Sequence, residues 1–225
     1  FRSWPRDNFL GRTNDREFIM LELYTWTTDN GFKARQMVEE TGIEYKLQPI
    51  NLREKEQFNP EFIKISPGHK IPAIVDPNGP GGQRVTLCES GAILKYLAEN
   101  YALTLYPEDP IQRLKVDQWF IYGSATWTPI AQQLGLFLHR LGEEVPRAQR
   151  HYDEAVRDIL GVYDKHLSDN QFIAGDYSIA DISCYPDIHI HGINDIGLEN
   201  FPNVKRWHDL IEKRPAVERA WEPFS

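Results

Sequence analysis

Lys70-Ile71-Pro72-Ala73-Ile74-Val75-Asp76 is the stretch on which the fold turns. A short apolar run bounded by charge reads as a buried strand. Proline has no N–H to give to a ladder, so Pro72 belongs at the strand's first position. An X-Pro bond is also where a cis peptide costs only about 0.5–1 kcal/mol. A cis bond would turn the N–H and C=O of Ile71 outward, ready to pair with an extended peptide. A trans proline at a strand start would present no such edge, and both readings stay open at this level. Pro77-Asn78-Gly79-Pro80-Gly81-Gly82 then reads as a turn and Arg84-Val85-Thr86-Leu87 as a further strand. So short a connection joins antiparallel neighbours.

Upstream, residues 18–24 read as a first strand and 25–30 as a polar turn. A helix over 31–41 places Phe32, Met37 and Val38 on one stripe, and Gly42 ends it. Residues 45–50 form a second strand, 53–57 a charged loop, and Pro60-Glu61-Phe62-Ile63 opens a short helix. Downstream of the fourth strand, 90–100 is a helix with Ile93, Leu94 and Leu97 inward. The order is βαβ, a short helix, then ββα, which makes a small mixed sheet with helices on its faces. Beyond it every periodic segment is helical: 111–140, 146–168, 179–191, 204–213 and 216–221. The expected organisation is an amino-terminal arm (1–16), an α/β domain (17–103), a linker around Tyr106-Pro107-Glu108-Asp109-Pro110 (104–110), and an all-α domain (111–225). The arm lacks the apolar run of a signal peptide, and its Trp4, Phe9 and Leu10 are expected to dock on the body.

The 225 residues are 41% hydrophobic and 26% charged, an ordinary globular composition. A net charge of −8 with interspersed signs argues against a nucleic-acid partner. No apolar run approaches the roughly 18 residues that span a bilayer, so no membrane partner is expected. Two cysteines cannot build a disulfide framework, and a reducing, cytoplasmic setting is expected.

Four local features point at one ligand. Lys70-Ile71-Pro72 offers the backbone edge just described. Glu89-Ser90-Gly91-Ala92 opens a helix, whose first amides and dipole form an anion site. Ser90 adds a hydroxyl and Glu89 can receive an ammonium, which together suit the zwitterionic end of an amino acid. Thr27-Thr28-Asp29-Asn30-Gly31 presents hydroxyl and amide donors at another helix start. Such donors can hold a thiolate: a free thiol is only roughly 3% ionised at pH 7, and lowering its pKa by about 2 units takes about 2.7 kcal/mol. Gln57 and Lys70 flank the same sheet edge and can hold a carboxylate. Each feature alone is also explained by plain capping or by a strand-opening proline.

In this order and spacing the chain resembles the glutathione transferases. Ile71-Pro72 and Glu89-Ser90 match the family's glutathione-backbone motifs, and Ser178-Ile179-Ala180-Asp181 its helix-capping box. The resemblance covers about residues 18–222. Thr28-Asp29-Asn30-Gly31-Phe32-Lys33 and Ile65-Ser66-Pro67-Gly68-His69-Lys70-Ile71-Pro72-Ala73-Ile74-Val75-Asp76 look like the nu class and its fungal nitrogen-regulator relatives. The resemblance implies a thioredoxin-like first domain, an all-helical second domain and a homodimer. It further implies that Thr28 and Asn30 address the glutathione sulfur, while Gln57, Lys70, Ile71, Glu89 and Ser90 hold the rest of the tripeptide. That class is known for reducing disulfides with glutathione and without a catalytic cysteine. It commonly has proline where this chain has Asp29, and an arginine where this chain has His151, beside Arg150. Trp119, Tyr122 and Trp127, with Phe137, are expected to shape a pocket for the second substrate, a hydrophobic electrophile or a disulfide.

Cys88 and Cys184 lie outside any C-x-x-C pattern and are expected to be buried structural residues. Tyr24 is read as core. His189-Ile190-His191 is an i,i+2 pair whose rings would point to different faces of a helix, so no metal is expected. Pro77–Gly82 lacks the Gly-Lys-Ser/Thr of a phosphate loop. The leading expectation is therefore a glutathione-dependent enzyme acting on an electrophilic carbon or a disulfide. The alternatives are a non-catalytic glutathione-binding regulatory or dimerisation module, and a specialised aromatic ether lyase.

Overall fold

The computed structural model describes residues 20–190 and 196–224. The expected arm, with Trp4, Phe9 and Leu10, lies outside the described residues, as do Phe18, Ile19 and His191. Strand β1 spans Leu21–Thr25, α1 Asp29–Thr41, β2 Tyr45–Pro49, α2 Pro60–Ile65, β3 Ala73–Asp76, β4 Val85–Cys88 and α3 Ser90–Tyr101. The sheet order is β2-β1-β3-β4, with β1 parallel to β2 and antiparallel to β3, and β3 antiparallel to β4. This is the mixed sheet of a thioredoxin-like domain, reached by one βαβ crossover and one hairpin. The Ile71–Pro72 peptide is cis and stands immediately before β3.

The local reasons are visible in the chain. Thr28 caps α1 by accepting the Gly31 N–H at 3.0 Å, and Gly42 closes the helix at φ 68°. Gly31 can be nothing larger, because a Cβ there would overlap the Trp26 carbonyl oxygen and the Thr25 hydroxyl. Leu23 and Ile74 of the sheet pack with Met37 and Val38 of α1 and Leu94 and Leu97 of α3, all of them buried. Asp76, at the end of β3, accepts hydrogen bonds from Tyr96 (2.6 Å) and Tyr101, tying the sheet to α3.

The second half carries helices joined by loops: α4 Pro110–Ile121, α5 Thr128–Gly135, α6 Pro146–Leu167, α7 Ile179–His189, α8 Pro202–Glu212 and α9 Pro215–Ala220. The continuous helix expected over 111–140 is instead interrupted by two wide turns, Tyr122–Trp127 and Leu136–Arg140. Pro129 cannot donate the helical hydrogen bond at its position, and the Thr128 N–H reaches back five residues to the Gly123 carbonyl. Helix α7 is buried along its length from Ile179 to Ile188. It begins with the expected capping box, in which Asp181 accepts the Ser178 N–H at 2.9 Å. Asp181 also accepts the Ile173 N–H and the Trp207 ring N–H at 2.9 and 2.8 Å, so it fastens three segments. Burial nevertheless pushes its carboxyl up to about 6 against those bonds.

Helix α1 joins the two halves. It covers the sheet on one side and meets the helical part on the other through Gln36 to Tyr177 (2.9 Å), Glu40 to Arg214 (2.7 and 2.9 Å) and Glu39 to Arg219 (2.6 Å). No helix among the described residues is long and apolar enough to cross a membrane.

Candidate active site

The junction of the two halves contains a cleft of about 400 Å³ lined by Thr28, Asp29, Asn30, Gln57, Lys70, Ile71, Glu89 and Ser90, among others. The topology explains the convergence. The end of β1 and the start of β3, with the loops that follow β1 and β4, meet at one end of the sheet, where α1 and α3 begin. Two helix N-termini therefore open on one space, and their unpaired N–H groups favour an anion there. Ser90 donates to the Asn30 side-chain oxygen at 3.4 Å, a long bond that links the two helix starts. Glu89 holds the turn into α3 at φ 73°, a backbone conformation uncommon for a residue with a side chain.

Thr28 and Asn30 are poised as donors. The Thr28 oxygen accepts the Gly31 N–H, while its hydroxyl hydrogen meets no acceptor among the described residues. The Asn30 oxygen receives Lys33 at 3.0 Å as well as Ser90, which leaves its amide N–H₂ without a described acceptor. That network sets the amide's orientation. The cleft also carries groups with spare polar capacity: the Gln57 Oε1 and His69 Nδ1 atoms are buried without partners.

Behind Asn30 lies a buried charged cluster. Lys33 donates to Thr128 at 2.7 Å and pairs with Asp187 at 2.7 Å, and Thr128 donates to the same Asp187 oxygen at 2.8 Å. Asp187 in turn contacts the Asp29 carboxyl, whose own oxygen accepts from Gln132 at 2.9 Å. Burial pushes Asp187 up to about 7 against the attraction of Lys33, with Asp29 adding to the rise. Burial acts the same way on Asp29, but the hydrogen bond from Asp187, the Lys33 charge and Gln132 together hold Asp29 below the usual carboxylate range.

A second cavity of about 340 Å³ continues from Thr28 and Asp29 past Gln132, His139 and Arg140 to Asp187. A third, of about 410 Å³, runs from Asn30 and Ser90 to Phe120, Ser124 and Thr128. The structure thus brings Thr28, Asn30, Gln57, Lys70, Ile71, Glu89 and Ser90 together. It does not bring the others. Trp127 is buried in the helical core against Tyr163, and Tyr122 packs edge-on to Trp119 and Tyr163. Trp119 stacks on His166 beside a separate cavity that includes Asp176. In the structure the rings expected to form a substrate wall pack between helices, and the walls beside Thr28 come from α5 and the turn after it. Arg150 and His151 are exposed on α6 and line none of the three cavities. Arg140 does line the cleft, a cation that sequence reading passed over because the wide turn that places it carries no sequence signature.

The residues set aside fare differently from one another. Cys184 is fully buried, and burial drives its thiol well above the ordinary range. Cys88 is only half-buried rather than enclosed. Tyr24 is likewise half-buried and donates to Glu22 at 2.8 Å, with its phenol pushed up to about 12 first by burial. His189 meets His208 at 3.1 Å, with Glu212 close by. Tyr185 and Asp209 also bond these rings, at 3.0 and 3.3 Å, as in a hydrogen-bonded aromatic stack.

With this geometry in view, the chain belongs to the glutathione S-transferase family. Residues 20–99 match its N-terminal domain and residues 127–215 its C-terminal domain. It is 38% identical over 203 residues to the disulfide-bond oxidoreductase YfcG of Escherichia coli, covering 89% of this chain and 94% of that protein. It is 32% identical over 216 residues to YghU of the same organism, also named a disulfide-bond oxidoreductase, covering 89% and 73%. A glutathione transferase from Pseudomonas putida, solved with one glutathione disulfide per subunit, superposes with a TM-score of 0.84 at 37% identity over 92% of this chain and 94% of that one. A family member from Pseudomonas fluorescens, solved with two glutathiones bound, gives 0.86 at 37% identity over 90% and 92%.

Proposed function

We propose that this protein is a glutathione-dependent transferase of the disulfide-reducing kind, with glutathione as co-substrate. The tripeptide lies along the edge formed by Lys70 and Ile71. Its γ-glutamyl end sits at the α3 N-terminus, where Ser90 and the free amides take the carboxylate and Glu89 takes the ammonium. Gln57 and Lys70 hold the remaining polar groups. Its sulfur lies at the α1 N-terminus, where the Thr28 hydroxyl and the Asn30 amide donate to the thiolate. Donors fixed before the reaction stabilise the ionised sulfur without reorganising, and that is the catalytic gain.

The observation that carries this reading is the linkage of Ser90 to Asn30. It bridges two helix N-termini that open on one cleft, with opposite-charged Glu89 and Lys70 in its lining. The disulfide preference is supported by the two Escherichia coli relatives, both named disulfide-bond oxidoreductases. We place the second substrate in the cavity that runs from Thr28 to Arg140, and the tripeptide-holding unit within residues 17–103. The test is calorimetry with reduced and oxidised glutathione, together with turnover on a simple disulfide and on a chlorinated aromatic. Heat with both forms and faster disulfide turnover are expected; silence with both forms refutes the reading.

A homodimer and a cytoplasmic setting belong to the same reading. Ile111, Leu114 and Ile121 stand exposed on one stripe of α4, and Phe58 is exposed on the first domain. A large apolar stripe left in water is the surface a second copy would cover.

A further inference from the structure

We propose that Asp29 and Asp187 act together as an acid–base pair that takes the proton from the bound glutathione thiol and returns it to the thiolate released when a disulfide is cleaved. The inference rests on the reading of the site given above. Asp29 is the acid–base residue and Asp187 its positioning partner.

The geometry comes first. Asp187 is buried at 4% exposure, and its Oδ2 is fully used by Lys33 and Thr128. Its Oδ1 receives no N–H or O–H from any described residue, and the Asp29 carboxyl meets the Asp187 carboxyl where both line one cavity. Two carboxylates in contact repel, so the arrangement is best satisfied by one proton held between them. Asp29 also belongs to both cavities that meet at Thr28, so the pair opens on the place assigned to the sulfur.

The charges around the pair are compatible with transfer. Lys33 faces it from α1. Thr128 and Gln132 face it from α5, without charge. His139 and Arg140 line the same cavity, Cys184 lies one turn back on α7, and Tyr163 approaches from α6. With one shared proton, the pair and Lys33 sum to zero; without it, to minus one. Accepting the thiol proton therefore moves one negative charge from the pair to the sulfur, where Thr28, Asn30 and the α1 N-terminus hold it. The step balances. The thiol gives its proton to the pair, and the thiolate attacks one sulfur of the disulfide. A new S–S bond forms as the old one breaks, and the departing thiolate takes the proton back. This gives Asp29, otherwise an adverse charge beside a thiolate, a use.

The test is the pH profile of kcat/KM for disulfide reduction in the wild type, Asp187→Asn and Asp29→Asn, with glutathione affinity measured by calorimetry on each. Asp29→Asn, at the cavity edge, keeps the test usable if Asp187→Asn does not fold. In the wild type the rate should rise through an inflection near neutral pH as the pair loses its shared proton. In either variant that inflection should vanish, kcat should fall about tenfold, and glutathione affinity should stay within twofold. Carbon-13 NMR of aspartate carboxyls gives a readout without turnover: the Asp187 resonance should titrate well above the ordinary carboxylate range, and the Asp29 resonance should respond to the same step. An unchanged profile shape with a uniform loss of rate, or an Asp187 already ionised at pH 5, overturns the proposal. If the wild type gives no heat with glutathione, the site reading itself fails, and the calorimetry tells that failure apart from the first.

Discussion

Replacing Lys33 with Met tests the cluster behind the site most directly. Lys33 is 2% exposed and bonds Asn30, Thr128 and Asp187 at 3.0, 2.7 and 2.7 Å. Methionine keeps the volume and removes the charge and all three bonds. Breaking one partner of a buried ion pair costs about 3–5 kcal/mol. Here the cost depends on pH, and its sign can be worked out. The Asp187 carboxyl stands at about 7 in the fold, raised by burial against the opposing Lys33 charge. A carboxyl raised on folding costs stability as pH climbs from its unfolded value to its folded one, and the cost is constant above that. Without Lys33 the folded value climbs further, so Lys33→Met goes on losing stability above pH 7 where the wild type has levelled off. Each further unit is about 1.4 kcal/mol. The expected loss is about 3 kcal/mol or more at pH 8.5, and about 1–2 kcal/mol at pH 5.5, where only hydrogen bonds are lost. For a chain of this size 3 kcal/mol lowers the thermal midpoint by about 6–12 °C. Paired melts or urea midpoints at the two pH values measure it. A loss of equal size at pH 5.5 and 8.5 would show that Lys33 does not compensate a titrating carboxyl, and the cluster's assignment would fall.

Other expectations are simpler. Thr28→Ala should lower kcat for disulfide reduction by about tenfold or more, as loss of a transition-state donor does, while calorimetry shows nearly unchanged glutathione affinity; untouched turnover would remove Thr28 from the sulfur site. Cys88→Ser should leave disulfide reduction within about twofold, and a collapse of activity would mean that a protein thiol takes part. Leu114→Glu, at a side chain 64% exposed on α4, should convert a dimer to a monomer by light scattering, without a loss of helix signal by circular dichroism. An unchanged mass would place the interface elsewhere. Asp181→Asn should destabilise the helical half by about 1–3 kcal/mol by weakening its buried hydrogen bonds to Ser178, Ile173 and Trp207; a midpoint within error of the wild type would deny the capping box its role.

The parts of the fold legible in the sequence were those set by local chemistry. Pro72 at a strand start, Gly42 after α1, and Ser178 with Asp181 before α7 each act within a few residues of themselves, so their spacing is their signal. Thr28, Asn30, Glu89 and Ser90 could be singled out for the same reason: helix starts announce themselves, and sheet topology then brings two of them to one cleft. The placement of the aromatic residues was not legible, because a ring at helical spacing looks the same in sequence whether it faces a cavity or a neighbouring helix. Trp127 and Tyr122 turned to Tyr163, which stands some way along α6 and leaves no trace near either. Arg140 and Asp187 were missed for the complementary reason. One depends on a wide turn, which no local pattern encodes, and the other meets its partners only when α7 docks against α1.

That docking gives the Asp29 departure its meaning. An aspartate at the second position of the sulfur turn, taken by itself, opposes a thiolate at the same helix end. In the folded chain it cannot be taken by itself, because Gln132 and Lys33 bond the cluster it joins and Asp187 supplies a second carboxyl. The three charged groups come from two halves of the molecule, and they are complete only when α1 lies between the sheet and α7. The cluster therefore couples two properties that are usually separable: the seating of the helical half on the first domain and the orientation of Asn30, whose oxygen is held by Lys33. A substitution that loosens the junction, such as Thr128→Val, removes a donor to Asp187 and an acceptor of Lys33 at once. It should then depress turnover through a misaimed Asn30 amide while leaving the γ-glutamyl end, which the proposed reading seats at Ser90 and Glu89, bound as before. The signature is a fall in kcat with glutathione affinity preserved, in a residue that touches neither sulfur nor tripeptide. A loss confined to affinity would show that the junction and the sulfur site are independent.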